Sequence, residues 1–169
     1  MRRGLPLLAI ALCLGSVEVL ACSCREDDKQ VSTSEKVQRQ FRESDFVAEI
    51  EIESVEFDSR TREFPCSIRK DVDGEWVESV CNETDELLVA RFRVVKLWKG
   101  DSATTTVVTH REWQACGLPF RKGEQILLYA YADERYPGLM AADSCGRTNL
   151  VANAKKDLKI LRGISKRTD

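Results

Sequence analysis

The chain has 169 residues, about a third of them charged, with 26 Lys and Arg against 28 Asp and Glu and a formal net charge of −2. That balance argues against a general nucleic-acid binder, which would be basic, and the length suits one domain with a real core rather than two. No apolar run reaches the roughly 20 residues needed to cross a bilayer as a helix, so no membrane span is expected.

The first 21 residues read as a secretory signal. Arg2 and Arg3 form a positive start, Leu5 to Leu14 an apolar stretch, and Val19-Leu20-Ala21 a small-residue cleavage site. Cleavage after Ala21 makes Cys22 the first residue of a domain spanning 22–169, and loss of Arg2, Arg3 and Glu18 moves the net charge from −2 to −3. A lipoprotein signal would instead acylate Cys22 and tie the protein to a bacterial envelope; Leu20 fits that pattern poorly. The expected location is therefore extracellular.

Cys13 leaves with the signal, so six of the seven cysteines remain: Cys22, Cys24, Cys66, Cys81, Cys116 and Cys145. An even number behind a signal reads as a disulfide framework, with 15 formal connectivities. Cys22 and Cys24 are too close to bridge each other without strain, so each must reach elsewhere. Two ordinary structural disulfides would account for Cys22-Ser23-Cys24. The same stretch also places a free α-amine and a carbonyl at a terminus that disulfides hold still, and those two atoms can chelate one metal ion. An intrinsic zinc site is not expected, because there is no C-x-x-C pair and His110 is the sole histidine.

After a charged run from Arg25 to Lys29, Ser32 and Glu35 match a capping box, and Val37 with Phe41 shares one face of a helix over 33–43. From Phe46 the period becomes two. Phe46, Ala48, Ile50 and Ile52 alternate with Glu49, Glu51 and Glu53, which predicts a half-buried strand with a wet acidic side. Residues 58–86 read as polar and irregular, with a turn at Asp73-Gly74 and Cys66 bridging Cys81 across it. Asn82-Glu83-Thr84 matches an N-glycosylation acceptor.

Strand character returns over 87–98, in the β-branched run 104–109, and over 125–131 and 139–142. Thr148 or Asn149 can cap a last helix carrying Leu150, Ala154, Leu158 and Leu161 at helical spacing. Its other side holds Lys155, Lys156, Lys159 and Arg162, followed by Lys166 and Arg167, a solvated face or a contact for an anionic matrix or lipid surface. Five strands with a helix before and one after predict a mainly β domain: a disulfide-stapled, five-stranded antiparallel barrel of the OB type.

No nucleophile elbow, zinc-protease motif or phosphate loop occurs, and the spacing of Ser23, His110 and Asp143 supports no catalytic set. The chain is expected to bind or inhibit without turning over a substrate, and to need no cofactor.

The order Ala21, then Cys22-Ser23-Cys24, then Phe41-Arg-Glu-Ser-Asp45-Phe-Val47, then Val95-Lys96-Leu97-Trp98-Lys99-Gly100, Cys116-Gly117 and Cys145-Gly146-Arg147-Thr148 resembles the inhibitory domain of the tissue inhibitors of metalloproteinases. That domain is a netrin-like (NTR) module on an OB barrel, and the likeness is nearest to single-domain relatives. The resemblance implies bridges Cys22–Cys116 and Cys24–Cys145, leaving Cys66–Cys81 as a local addition. It also implies that the Cys22 amine and carbonyl chelate the catalytic zinc of a protease in trans. Ser23 would sit at the specificity pocket, with Cys24, Cys116 and Gly117 in contact around it. The chain departs from the family at Arg42, where the inhibitors have a further disulfide cysteine, and in a longer Cys24-to-Phe41 segment. It also lacks the inhibitors' C-terminal disulfide-rich domain. The alternative is a non-inhibitory netrin-like module that binds an extracellular or envelope partner.

Overall fold

A computed structural model describes Cys24 and residues 31–69, 76–111, 116–133 and 135–165. The domain is mainly β. Helix α1 covers Thr33–Glu43, the long strands β1 and β2 cover Phe46–Arg69 and Trp76–Lys99, and β3 covers Thr106–His110. Then come β4, Gln125–Ala132, β5, Met140–Ala141, β6, Asn149–Leu150, and helix α2, Lys155–Ser165.

Helix α1 starts where Ser32 accepts from the Glu35 amide while the Glu35 carboxylate accepts from the Ser32 amide, so two terminal donors are satisfied. The Ser32 hydroxyl, which also donates to that carboxylate, and then the Ser32 amide hold the Glu35 carboxyl below the usual range. The helix ends at Ser44, and Lys99 closes it by donating to the carbonyls of Phe41, Arg42 and Ser44.

The sheet is a ring. Strands pair in the order β1-β2-β3-β5-β4, and β1 pairs β4 as well, through Phe46–Glu51, which closes five strands on one another. All these pairings are antiparallel except β3 with β5, which is parallel, and the two-residue β6 adds to the free edge of β4. The interior is the predicted alternating face: Phe46, Ala48, Ile50 and Ile52 are 0–1% exposed and pack with Ala90, Phe92, Ile126 and Leu128. Odd-numbered neighbours point outward, where Val47, Leu127 and Tyr129 are covered by Val37 of α1 and Leu158 and Leu161 of α2. A strand pair buried on both sides in this way shields a core from two directions.

Three expectations are corrected. Residues 58–86 are not irregular where described: β1 and β2 continue pairing from Asp58–Leu87 out to Arg69–Trp76, forming a two-stranded arm beyond the ring. The Asp73-Gly74 turn lies outside the described residues. None of the described arm residues is fully buried, and only a weak alternation of half-buried and exposed side chains runs along 62–67 and 76–82. The last helix begins at Lys155, not at a Thr148 or Asn149 cap, because the Thr148 hydroxyl is taken by β4 and Asn149-Leu150 extends the sheet. Leu150 is consequently outside the helix and 39% exposed. Finally, the strands are not wholly antiparallel: the connection from β3 to β5 brings them side by side in the same direction.

Candidate functional site

Three cysteine-bearing pieces of chain meet at one point. Cys24 is bridged to Cys145 across a sequence separation of 121, with their Cα atoms 5.1 Å apart. The Cys145 sulfur lies 3.7 Å from that of Cys116, a van der Waals contact between two half-cystines. Cys116 is itself disulfide-bonded, to a partner outside the described residues.

The Cys116 and Cys145 pieces are fixed by the sheet beneath them, and Cys24 by its bridge to Cys145. Asp143 organises the turn that carries Cys145: its Oδ1 accepts from the amides of Cys145 and Gly146, both at 2.9 Å, and its Oδ2 accepts from the Tyr131 hydroxyl at 3.0 Å. A carboxylate bridging its own turn in this way is a strong local constraint. Burial, and then the neighbouring Asp143 charge, push the Tyr131 phenol above its ordinary range. The Ser144 amide donates to the Cys116 carbonyl at 2.8 Å, tying the two loops together. Cys116 adopts φ 63°, the left-handed region that side chains rarely enter, and the chain then dives inward at buried Gly117. The Leu118 amide donates to the hydroxyl of Thr109, a β3 residue only 3% exposed.

The Cys145-Gly146-Arg147-Thr148 run has a structural use at every position. Arg147 forms a fork with the two oxygens of Asp157 on α2, at 2.7 and 2.8 Å, with the carboxylate side chain 9% exposed. Thr148 accepts from the Tyr129 amide and donates to the Tyr129 carbonyl, at 3.0 and 3.1 Å, replacing one rung of the sheet. The run therefore joins the cysteine ridge, β4 and α2. Lys99-Gly100 does comparable work, since Lys99 caps α1 and a Cβ on Gly100 (φ 100°) would stand 2.9 Å from the Asp45 carbonyl. Asp45 in turn accepts from the Ala132 amide at 2.8 Å.

Of the residues singled out in the sequence, Cys24, Cys116, Gly117 and Cys145 come together, whereas Cys22 and Ser23 lie outside the described residues. Cys66 is bridged to Cys81 in the arm. Asn82 and Thr84 are exposed on the same arm, Asn82 opposite Glu63. His110 ends β3 opposite Leu87, and Asp143 is spent on its turn rather than on any catalytic set. Lys155, Lys156, Lys159 and Arg162 are exposed on α2; Lys166 and Arg167 lie outside the described residues. Among the described residues no three His, Cys, Asp or Glu side chains group to hold a metal, and no helix is long and apolar enough to cross a membrane.

Sequence reasoning missed the Asp143–Tyr131 brace and the Arg147–Asp157 fork. Asp143 two residues before Cys145 was a readable turn signal, since Asp side chains bond backbone amides just ahead of them. Nothing in the sequence pairs Arg147 with an aspartate ten residues on, at the edge of a helix. No protein-family model matches the chain, and no curated protein matches it.

Proposed function

We propose that the protein is a secreted, netrin-like inhibitor of zinc metalloproteases built on an OB-type barrel. The barrel reading is supported by the closed order β1-β2-β3-β5-β4, with two helices against one outer wall. The functional reading rests on one observation: Cys24 is bolted to Cys145 in direct sulfur contact with Cys116. Two residues of chain span at most about 7 Å, so an amine at Cys22 stays within that reach of a fixed anchor. A terminus held in this way meets the entropy cost of ordering before the protease arrives.

In this reading the Cys22 amine nitrogen and carbonyl oxygen occupy the coordination position where a catalytic zinc would hold its nucleophilic water, and no hydroxide forms. Ser23 enters the adjoining pocket, and the Cys116-Gly117 loop supports the ridge from behind. The α-amine must be deprotonated to bind metal, and its reference pKa is about 7.7 to 8.0. Inhibition is therefore expected to weaken as pH falls below that range. Carbamylating the amine near neutral pH, where it reacts ahead of the more basic lysines and loses its lone pair to the new amide-like bond, should abolish inhibition of a zinc protease catalytic domain. Undiminished inhibition by the carbamylated protein would overturn chelation.

The second reading, a netrin-like module that binds an extracellular partner without inhibiting, is favoured by a different observation. Lys99, Gly100, Arg147 and Thr148 all serve the fold itself, so their presence requires no protease. Failure of the unmodified protein to inhibit any zinc protease would leave that reading standing.

A further inference from the structure

Helices α1 and α2 do not close completely over the outer wall. Between them runs a groove of about 730 Å³, open to solvent along its length and lined from Thr33 to Arg42 on one side and from Lys156 to Ile164 on the other. Its floor is apolar: Phe41, Ile160 and Ile164 are half-buried there, left over after the helices have covered Val47, Leu127 and Tyr129. Its rim is cationic, with Arg42, Lys156 and Lys159 all exposed, and no acidic residue lines it among the described residues.

Part of the molecule's other cationic charge is neutralised by nearby carboxylates, while Arg91, Arg121 and Lys122, like the groove's rim, form no ion pair among the described residues. Arg60, Arg62, Arg93, Arg111, Arg135 and Arg147 each face a carboxylate within 4 Å, as befits a chain of net charge −2. Arg42, Lys156 and Lys159 form no ion pair among the described residues. Gly163 also lines the groove, and there is open space beyond it, since an added Cβ would meet nothing within 4 Å.

We propose that this groove docks an acidic amphipathic helix of a partner protein. Positive rims call for a negative occupant, and the apolar floor calls for an apolar face on the same ligand. A sulfated polysaccharide would satisfy the rim and waste the floor. A flat membrane surface would touch the rim and not reach the floor. A single alkyl chain would leave half its length in water, because the groove is open above. A helix turns its own polar side outward, and both walls belong to 11-residue helices, about 16 Å long, which matches three turns of a guest helix. The inference is independent of the zinc-chelating ridge.

The test uses the full mature chain and a fluorescein-labelled peptide of about 15 residues, with leucine at i, i+3, i+4 and i+7 and glutamate or glutamine elsewhere. A counterpart with lysine replacing glutamate serves as control. Fluorescence anisotropy should show saturable binding of the acidic peptide and none of the lysine peptide. The pair Lys156→Glu with Lys159→Glu should weaken binding by at least about tenfold. Gly163→Phe, which fills the groove and leaves every charge in place, should do the same. Both variants alter exposed positions, and the charge-reversed pair reads the groove even if the bulky one folds poorly. Equal binding of both peptides, or affinities within about twofold of the parent in the charge-reversed variant, would overturn the proposal. So would binding to phosphatidylserine vesicles or heparin with no binding of the acidic peptide.

Discussion

The inner and outer halves of the β1–β2 pair are both strand, the inner one interrupted by three register shifts, and they are held by different forces. From Phe46 to Ile52, β1 lies between β2 and β4, and its inward side chains are 0–1% exposed. From about Ser54 outward the same strand pairs with β2 alone, and Phe57, Trp76 and Val80 are 72%, 70% and 65% exposed. A two-stranded ribbon is marginal by itself in water. The arm is instead stapled by Cys66–Cys81 and laced across its strands by Arg62–Glu83 and the Thr61–Thr84 hydroxyl pair. At its root Tyr136 on the 133–139 loop donates to Asp85 at 2.8 Å, tying arm to ring. Burial makes the ring; covalent and cross-strand links make the arm.

The largest test of that contrast compares two phenylalanines. Phe92→Ala, which empties a site 1% exposed beside Phe46, should cost about 3–5 kcal/mol in denaturant unfolding. Phe57→Ala, at the foot of the arm beneath Arg111, should stay within about 0.5 kcal/mol. Comparable losses would mean the arm has a core of its own.

Next in size is the staple. A loop of about 15 residues is worth up to about 3 kcal/mol of chain entropy when closed, so Cys66→Ser with Cys81→Ser should release the arm. Amide exchange should accelerate over 60–69 and 76–84 while protection in β4 and the inner half of β1 is retained. Loss of protection throughout would show that ring and arm fold as one unit.

The smallest effect is alkaline. All three tyrosines, Tyr129, Tyr131 and Tyr136, have phenols raised chiefly by burial, Tyr136 to about 12. The folded state thus keeps protons that the unfolded chain releases near pH 10, the reference phenol value. Stability from these groups is intact below pH 10 and is lost as pH rises towards 12. Tyrosinate absorbance should lag behind that of free tyrosine and then rise with unfolding. Titration of the folded protein like free tyrosine would contradict the burial.

Legibility followed the same divide. Phe46 to Ile52 announced itself because a closed ring enforces period-two burial, and Ser32 with Glu35 announced α1 because the cap is local. The arm was hard to read because neither face is fully buried, which weakens the apolar alternation that marks a strand and left the Asp73-Gly74 turn signal with Cys66 and Cys81 as the clues. The start of α2 was misplaced because Thr148, a good cap by type, serves as a rung on Tyr129, and that use depends on a partner 19 residues away. At the ridge, Cys24, Cys116 and Cys145 were visible by residue type, while the Asp143 brace that orients them needed the fold.

The chelating amine is the central claim, and lengthening the chain by one residue tests it most directly. Mature protein beginning at Cys22 and the same protein with a single alanine before Cys22 should be titrated against the catalytic domains of several zinc metalloproteases. Tight inhibition by the first and its loss in the second, with ring stability unchanged, is the predicted result. Equal inhibition by both would contradict the account.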